Sequence, residues 1–301
     1  MLALALSRAL ALSLSLSISL SLARSFALAL ALALALARSR TRTLARLLAL
    51  ASVTGVARYV PECYPGPLVH AEIKYLMQYM AEPVRPLGVI IGGSKVADKI
   101  GVLRSLIQKA DTIIVGGRMA FTFLAALGTE IGKTQIEEKW LEAAREMVHT
   151  ATARGVRFYL PSDILVSESL DGPVGMRVVN LSKKCCTADK PCVPAGCYGV
   201  DIGPRSCEEI AVELARCNTL FWNGPMGKYE VPEFGEGTTA VARAFAASPG
   251  STIIGGGDSV AAINQLGVAS KMTHISTGGG ASLELIEGVA MPRTAPPPPS
   301  P

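Results

Sequence analysis

The segment best suited to bind an anion is Ser251–Ser259, which reads STIIGGGDS. A short β-branched run leads into three glycines, Asp258 and Ser259, and a segment of helical composition follows. A strand, a glycine turn and a helix in this order point backbone N–H groups at an anion, and glycine lets a phosphate approach closely. Because an acidic residue at this edge would repel a bare phosphate, Asp258 is better explained as a ligand of Mg²⁺ bridging to phosphates. The alternative is a tight turn in which Asp258 caps the helix.

A second glycine turn, Gly92–Gly93, is followed by two lysines, Lys95 and Lys99. We predict that the turn enters a helix over Ala97–Lys109, and the spacing of four residues would then direct both ammonium groups at one anion. Two ammonium groups beside glycine amides suit the charge that develops on a phosphoryl group during transfer. The alternative is a solvated helix start with surface lysines, although lysine near a helix N-terminus opposes the helix dipole.

Repeated strand, turn and helix units would position these turns. Short apolar runs such as LGVII, DTIIV, VRFYLPSD, NTLFW and STII alternate with helical segments. This alternation predicts an α/β fold with a doubly wound, mostly parallel sheet. Ligands of such sheets bind at the carboxyl ends of the strands, so we expect the glycine turns there to form a crevice for a polyphosphate. The turns are Gly92–Gly93, Gly116–Gly117, Gly224, Gly255–Gly257 and Gly278–Gly280.

Other motifs carry less weight. Gly128–Thr134, GTEIGKT, is one residue short of a phosphate-binding P-loop and follows a helical segment, so we interpret it as a surface turn. Asn223 follows an apolar run and Glu230 lies slightly downstream, so they could contact a nucleotide and a ribose hydroxyl. The alternative for this pair is a turn asparagine and a surface glutamate. The cysteines around residues 185–197 lack paired C-x2-C units, which favours a loop with free thiols over a metal cluster.

Composition divides the chain. Residues 1–60 hold seven of the 29 basic residues and no acidic ones, which leaves 22 basic against 24 acidic residues, a balance near −2. No nucleic-acid surface is expected from that balance. Seven cysteines in a chain of 301 residues favour a reducing compartment over a disulfide framework.

The N-terminal 50 residues are Leu, Ala, Ser and Arg repeats. They resemble an organellar transit peptide, and the alternatives are translation of a repetitive DNA tract or a secretory signal. Their uncharged stretches are too short for a stable membrane span. We divide the chain into residues 1–50, low complexity and disordered; 51–86, a linker and amphipathic helix near Val69–Met80; 87–292, the nucleotide-binding domain; and 293–301, a proline-rich tail.

Several motifs, in order, resemble phosphoglycerate kinase, specifically its C-terminal nucleotide-binding domain. They are GGSKVADKIGVL, IIVGGRMAFTFL, GVDIGP, FWNGPMG, IIGGGDSVAA and HISTGGGASLELIEG, with a further match at GPLVHAEIKYLMQYM. The likeness is greatest to plastid or bacterial members, so a plastid location is expected, with the cytoplasm as the alternative. The resemblance implies a Rossmann-like three-layer lobe and an enzyme, typically monomeric, of glycolysis or the Calvin cycle. Such an enzyme passes a phosphoryl group reversibly between 1,3-bisphosphoglycerate and ADP, using Mg²⁺, and forms 3-phosphoglycerate and ATP.

The resemblance also implies residue roles. Lys99 binds nucleotide phosphate, Lys95 stabilises the phosphoryl group in transfer, and Glu230 accepts the ribose. Gly256 and Gly257 meet the phosphates and take part in catalysis, and Thr277, Gly278, Gly279 and Gly280 lie near an interdomain hinge. The full set of implied nucleotide-binding residues is Gly93, Lys95, Lys99, Gly116, Gly117, Gly199, Asn223, Pro225, Glu230, Gly256, Gly257, Asp258 and Ser259, with Asp258 as the metal ligand.

The sequence departs from the family in ways that bear on activity. No motif of the lobe that binds 3-phosphoglycerate is recognisable, and Leu/Ala/Ser repeats stand in its place. Arg118 stands where a third glycine is usual, and Lys228 replaces an apolar residue. We therefore expect nucleotide binding by this chain, and turnover of 1,3-bisphosphoglycerate or 3-phosphoglycerate only if an N-terminal lobe is supplied. The alternative is a non-catalytic ADP/ATP-binding fragment or a partner-binding protein.

Overall fold

Short runs of β-branched and aromatic residues form a parallel sheet that is buried on both faces. A computed structural model describes residues 66–181 and 192–288. Its main sheet has six strands, all parallel, in the order β3-β2-β1-β7-β8-β9. The strands are β1 Leu87–Ile91, β2 Thr112–Val115, β3 Arg157–Tyr159, β7 Thr219–Asn223, β8 Ser251–Gly255 and β9 His274–Ile275. The predicted α/β fold with a mostly parallel sheet is confirmed.

Helices cover both faces of this sheet. Alternate residues of one strand enter different cores, since Val89 and Ile91 pack on one face and Ile90 on the other. That alternation is the two-residue period of a strand. The helices are α2 Ile100–Ile107, α3 Gly117–Ala126, α4 Leu141–Ala153, α5 Pro204–Ala215, α6 Glu236–Ala247, α7 Gly257–Gln265 and α8 Gly280–Glu287.

The chain enters the sheet through a continuous helical segment. This segment, α1, consists of Pro67–Glu72, a π-helical stretch Ile73–Gln78 and Tyr79–Ala81. Leu76 and Met80 are buried, whereas Met77 is 42% exposed. The predicted amphipathic helix is present, but Met77, which was expected on its apolar face, is exposed. Among the described residues, no helix has the length and apolar character needed to cross a membrane.

A second sheet was missed by the sequence analysis. It is antiparallel, has the order β5-β4-β6, and consists of β4 Asp163–Ser167, β5 Arg177–Asn180 and β6 Tyr198–Ile202. The predicted third strand VRFYLPSD is in fact divided, because β3 ends before Pro161 and Asp163 opens the second sheet. The second sheet packs through Ile164 and Val166 against Phe121 of α3.

The predicted helix Ala97–Lys109 is wrong at both ends, and the helix observed is Ile100–Ile107. Val96 and Ala97 donate their backbone N–H groups to the Glu137 carboxylate, at 2.8 and 3.4 Å. These groups are thereby satisfied by a side chain, and the segment before Ile100 stays a turn. Lys99 has φ −123° and ψ −1° at the N-cap of α2. Lys95 and Lys99 therefore do not share a helix face.

Some predictions concern residues outside the described ranges. These are the low-complexity N-terminal segment, the proline-rich tail, and Cys185 and Cys186 of the cysteine-rich loop. Within the described ranges, Cys192 is disulfide-bonded, so the expectation of free thiols is wrong at that position. Cys197 is a free, buried thiol.

Candidate functional site

The turns that follow β1, β2 and β7 are joined by backbone hydrogen bonds. Gly93 donates its N–H to the Pro225 carbonyl at 2.9 Å, and Gly117 donates to the Met226 carbonyl at 2.8 Å. Gly117 has φ +66°, and a Cβ there would collide with the Gly93 backbone. Only glycine allows this approach. Three of the predicted glycine turns therefore meet at the carboxyl edge of the main sheet.

The turn between β8 and α7 joins the same edge. Ser259 is buried, and its Oγ accepts a hydrogen bond from the Gly224 N–H at 2.6 Å. Gly256 adopts φ +87° at the N-cap of α7, and no side chain caps this helix. Asp258 is an exposed residue of the first turn, so the alternative in which it caps the helix is wrong. A Cβ on Gly257 would meet no atom within 4 Å. Packing therefore does not require glycine at position 257.

Asn223 occupies the junction of these turns as the last residue of β7. Its side chain is 3% exposed, and its Nδ2 has no hydrogen-bond partner among the described residues. A Cβ built on Gly256 would lie 3.1 Å from this nitrogen, so the amide faces the glycine turn. A buried donor without an acceptor costs about 1–3 kcal/mol. An anionic ligand in the turn would remove that cost.

Lys99 supplies a half-buried positive charge at the same junction. Its Nζ donates to the Gly92 carbonyl at 2.5 Å and to the Asn223 carbonyl at 3.3 Å. Burial lowers the pKa of Lys99 to about 8, while the carboxylates of Asp258 and Asp98 act in the opposite direction. The ammonium group is thus held between two of the glycine turns. Lys95 lies on the same turn but is exposed.

A cavity of about 350 Å³ opens between this edge and the second sheet. Its main-sheet side is formed by glycine turns and by Asp258, and its other side by β6 and the Phe121 ring. The lining residues are Gly93, Ser94, Gly117, Arg118, Phe121, Thr134, Gln135, Leu170, Tyr198, Gly199, Val200, Pro225, Gly227, Lys228, Glu230 and Asp258. One wall is therefore glycine-rich main chain, and the opposite wall includes the apolar side chains of Phe121 and Val200.

Thr134 is a lining residue that the sequence analysis missed. It is 7% exposed, and its Oγ1 accepts a hydrogen bond from the Gly199 N–H at 2.9 Å. A Cβ at Gly199 would collide with the Phe121 ring. The interpretation of Gly128–Thr134 as a surface turn is wrong at its end, because Thr134 supports β6. The segment is joined to the chain just before β6 by the bridge between Ile131 and Val193 and by a hydrogen bond from the Lys133 N–H to the Cys197 carbonyl. No local spacing in the sequence indicates these contacts.

Other predicted residues lie at different distances from the cavity. Glu230 is exposed on the rim, and Pro225 is part of the wall. Gly116 lies beneath the wall, since a Cβ there would collide with Met226. Thr277–Gly280 is not part of the lining: Thr277 donates its N–H to the Glu72 carboxylate of α1 at 2.7 Å, and His274 contacts Glu72 at 3.3 Å. The structure therefore places that segment where α1 meets the sheet.

The carboxylate of Asp258 could contribute to a metal site that a bound phosphorylated ligand completes. Among the described residues, no group of three or more His, Cys, Asp or Glu could hold a metal ion by itself. Asp258 lies in the first turn of α7, where its carboxylate accepts a hydrogen bond from the Tyr229 hydroxyl at 3.4 Å. Mg²⁺ typically takes one or two carboxylates together with substrate phosphates. The donor set therefore fits a metal that is bound with a phosphorylated ligand.

The sequence profile that describes phosphoglycerate kinase matches residues 46–289. The chain belongs to the phosphoglycerate kinase family. The phosphoglycerate kinase of Thermus thermophilus is 47% identical over 245 residues, which are 81% of this chain and 60% of the relative. The phosphoglycerate kinase of Clostridium novyi is 46% identical over 244 residues, which are 81% of this chain and 59% of the relative.

A solved structure leads to the same family. The phosphoglycerate kinase from Coxiella burnetii superposes with a TM-score of 0.73 at 38% identity, covering 79% of this chain and 59% of that one. The resemblance inferred from the motifs is confirmed. The chain spans about 60% of the length of the curated relatives it matches.

Proposed function

We propose that this chain binds ADP or ATP with Mg²⁺ in the cavity and supplies the nucleotide half of phosphoglycerate kinase. The observation that supports this most directly is the buried Asn223 amide, whose Nδ2 has no hydrogen-bond partner in the described ranges and faces the Gly255–Gly257 turn. A nucleotide phosphate would provide the acceptor. The reaction would be reversible phosphoryl transfer between 1,3-bisphosphoglycerate and ADP.

Each part of the nucleotide has a proposed set of contacts. Phosphates would lie against the Gly256–Gly257 turn at the N-terminus of α7, with Lys99 neutralising charge behind them. Lys95, exposed on the first turn, would stabilise the phosphoryl group in transfer. Glu230 would accept a ribose hydroxyl, and the base would occupy the apolar side of the cavity. Asp258 would hold Mg²⁺, which supplies charge neutralisation on the phosphates when bound.

A second lobe would be needed for turnover. Phosphoryl transfer requires donor and acceptor in line within a cleft that excludes water. The cavity described above offers contacts for the nucleotide, and a lobe that binds 3-phosphoglycerate would close over it. We therefore propose that catalysis depends on such a lobe, with this chain contributing the nucleotide, the metal and Lys95.

The test is a calorimetric titration with MgADP of the parent, Gly257→Ala and the control Gly196→Ala. A Cβ meets open space at both positions, and neither has a positive φ, so both variants should fold. Because the methyl group at position 257 would separate the phosphates from the backbone amides, Gly257→Ala should weaken binding about tenfold, the loss of one charge-assisted hydrogen bond. Gly196→Ala should bind as the parent does. Absence of binding by the parent, or equal affinity in all three proteins, would overturn the proposal.

We also propose a plastid destination for this chain. The acid-free, Ser- and Arg-rich N-terminal 50 residues support it. Import of the labelled chain into isolated chloroplasts, with loss of an N-terminal piece, is the expected result. Retention of the full-length chain in the cytosol of plant cells would contradict the proposal.

A further inference from the structure

Lys228 connects three separate segments at the rim of the cavity. Its backbone N–H donates to the Val200 carbonyl of β6 at 2.9 Å. Its Nζ donates to the Leu170 carbonyl, in the β4–β5 loop, at 2.7 Å. The turn after β7 is thereby tied to β6 through the main chain and to the β4–β5 loop through the side chain.

The tie determines where Leu170 lies. The β4–β5 loop is organised at its base by Ser167, whose Oγ donates to the Gly172 or Val174 carbonyl at 3.2 or 3.0 Å. Leu170 lies beyond that base, is 37% exposed, and lines the cavity. Its carbonyl accepts the hydrogen bond from the Lys228 ammonium, and Leu170 and Phe121 line the same cavity.

The hydrogen bond from Lys228 to the Leu170 carbonyl stabilises this loop position more than the ion pair between Lys228 and Asp171 does. Lys228 lies 3.8 Å from the Asp171 carboxylate, and the Asp171 side chain is 98% exposed. An exposed pair at that distance contributes little. Removal of the Asp171 charge should therefore leave the Leu170 position unchanged, whereas removal of the Lys228 donor should release the loop.

We propose that Lys228 is a specificity-determining residue that holds Leu170 over the apolar side of the cavity, where the base of a nucleotide would lie. Ligands that carry a base would then bind more tightly than ligands made of phosphate alone. This inference rests on the proposed nucleotide site and deepens it.

A different role for Lys228 makes a different prediction. An ammonium group at the rim could attract any anion through its charge, and its loss would then weaken MgADP and magnesium pyrophosphate equally. A residue that acts through Leu170 affects only the ligand with a base. Comparison of the two ligands therefore separates positioning from simple charge attraction.

The experiment compares Lys228→Met with the parent by calorimetry, using MgADP and magnesium pyrophosphate. Methionine keeps the length of the side chain and removes the donor. We expect MgADP to bind about three- to tenfold more weakly, the range for one partly exposed, charge-assisted hydrogen bond, and pyrophosphate affinity to be unchanged. Leu170→Ala should give the same selective loss, and the double variant should lose no more than either single one. Lys228→Arg keeps a donor at this position, so it should bind MgADP as the parent does.

Two variants serve as controls. One is Asp171→Asn, and the other is Lys271→Met, in which an exposed lysine outside the cavity lining is changed. Both should match the parent. Amide hydrogen exchange of residues 168–175 should be faster in Lys228→Met, without any ligand. Parent-like MgADP affinity, equal losses for both ligands, or unchanged exchange in this loop would each overturn the inference while the proposed nucleotide site stands. If the parent binds no MgADP at all, both proposals fail.

Discussion

At the residue scale, the site depends on polar groups that are buried or half-buried in the folded chain. Within the described part of the chain the Asn223 amide has no hydrogen-bond partner, Lys99 has a lowered pKa, and both groups lie at the junction of the glycine turns. Folding tolerates these costs, and an anion bound between them would relieve both. Ser259 differs, because its Oγ already accepts the Gly224 N–H and thereby joins two turns.

The first prediction concerns the pH dependence of nucleotide affinity. Burial holds the pKa of Lys99 near 8, and a bound phosphate would favour the charged form and raise that pKa. ADP binding should therefore take up protons near pH 8, and affinity should fall as the pH rises above 8. Lys99→Met loses a hydrogen bond to a charged group, so at pH 7 this variant should bind ADP at least about tenfold more weakly than the parent. Its affinity for ADP should not fall as the pH rises above 8.

Calorimetry in two buffers with different ionisation enthalpies would measure the proton uptake. Lys109→Met is the matched control, because Lys109 donates to the Ile286 carbonyl at 3.2 Å, outside the cavity lining. An affinity for ADP in the parent that is constant from pH 7 to 9.5 would contradict the assignment of Lys99 to the phosphates.

The second prediction concerns the metal. Asp258→Asn removes a negative charge from the first turn of α7 and keeps the shape of the side chain. MgADP should then bind more weakly, and the gain in affinity that Mg²⁺ gives over ADP alone should shrink, because an amide is a poorer Mg²⁺ ligand than a carboxylate. Titrations with and without Mg²⁺ measure this gain. A gain in the variant as large as in the parent would show that Asp258 is not the metal ligand.

At the element scale, much of the main sheet could be predicted and the second sheet could not. LGVII and TLFWN are continuous apolar runs followed by turn signals, which is typical of a strand buried on both faces. Arg177–Asn180 is mostly exposed and so lacks the apolar signal of a buried strand. β6 joins this sheet through pairs such as Ile164 with Ile202, which are far apart in the chain. The glycine turns were therefore located from sequence, whereas the apolar wall built on β6 was not.

Asp201 shows how β6 is tied to the elements around the cavity. Its carboxylate accepts the Gly237 N–H of α6 at 2.7 Å and the Ile202 N–H at 2.8 Å. Burial raises the pKa of Asp201 to about 7, the two backbone bonds oppose this rise, and the nearby Glu236 charge adds to it. The carboxyl group therefore changes charge near neutral pH at the start of α6.

The third prediction follows from the raised pKa of Asp201 and concerns how stability depends on pH. Between about pH 4 and pH 7 the folded state keeps a proton on Asp201 that the unfolded state has lost, so this residue makes the free energy of unfolding fall as pH rises. Asp201→Asn should lower stability by about 1–3 kcal/mol at pH 5, because an amide has one acceptor oxygen for two N–H donors. The difference between parent and variant should shrink towards pH 7.

Urea unfolding at pH 5, 6 and 7 would check the Asp201 prediction. Asp171→Asn, at an exposed position, should follow the parent throughout. A difference between parent and Asp201→Asn that grows as pH rises would contradict the sign of the shift.

At the scale of the whole molecule, the length of the chain bears on whether it can turn over 1,3-bisphosphoglycerate by itself. The chain spans about 60% of the length of its relatives, and the matched region ends at residue 289. We expect the purified chain to bind MgADP without forming ATP from 1,3-bisphosphoglycerate. Addition of the part of the Thermus thermophilus relative that this chain does not match should restore measurable turnover. Turnover by the chain alone would contradict the requirement for a second lobe.

The most direct measurement of the central claim is amide hydrogen exchange of the chain with and without MgADP. On saturation with MgADP, we expect slower exchange in the turns after β1, β2, β7 and β8 together with residues 198–200 of β6. Exchange at residues 154–157, at the opposite edge of the sheet, should not change. Protection confined to segments outside the cavity, or no protection anywhere, would contradict the claim.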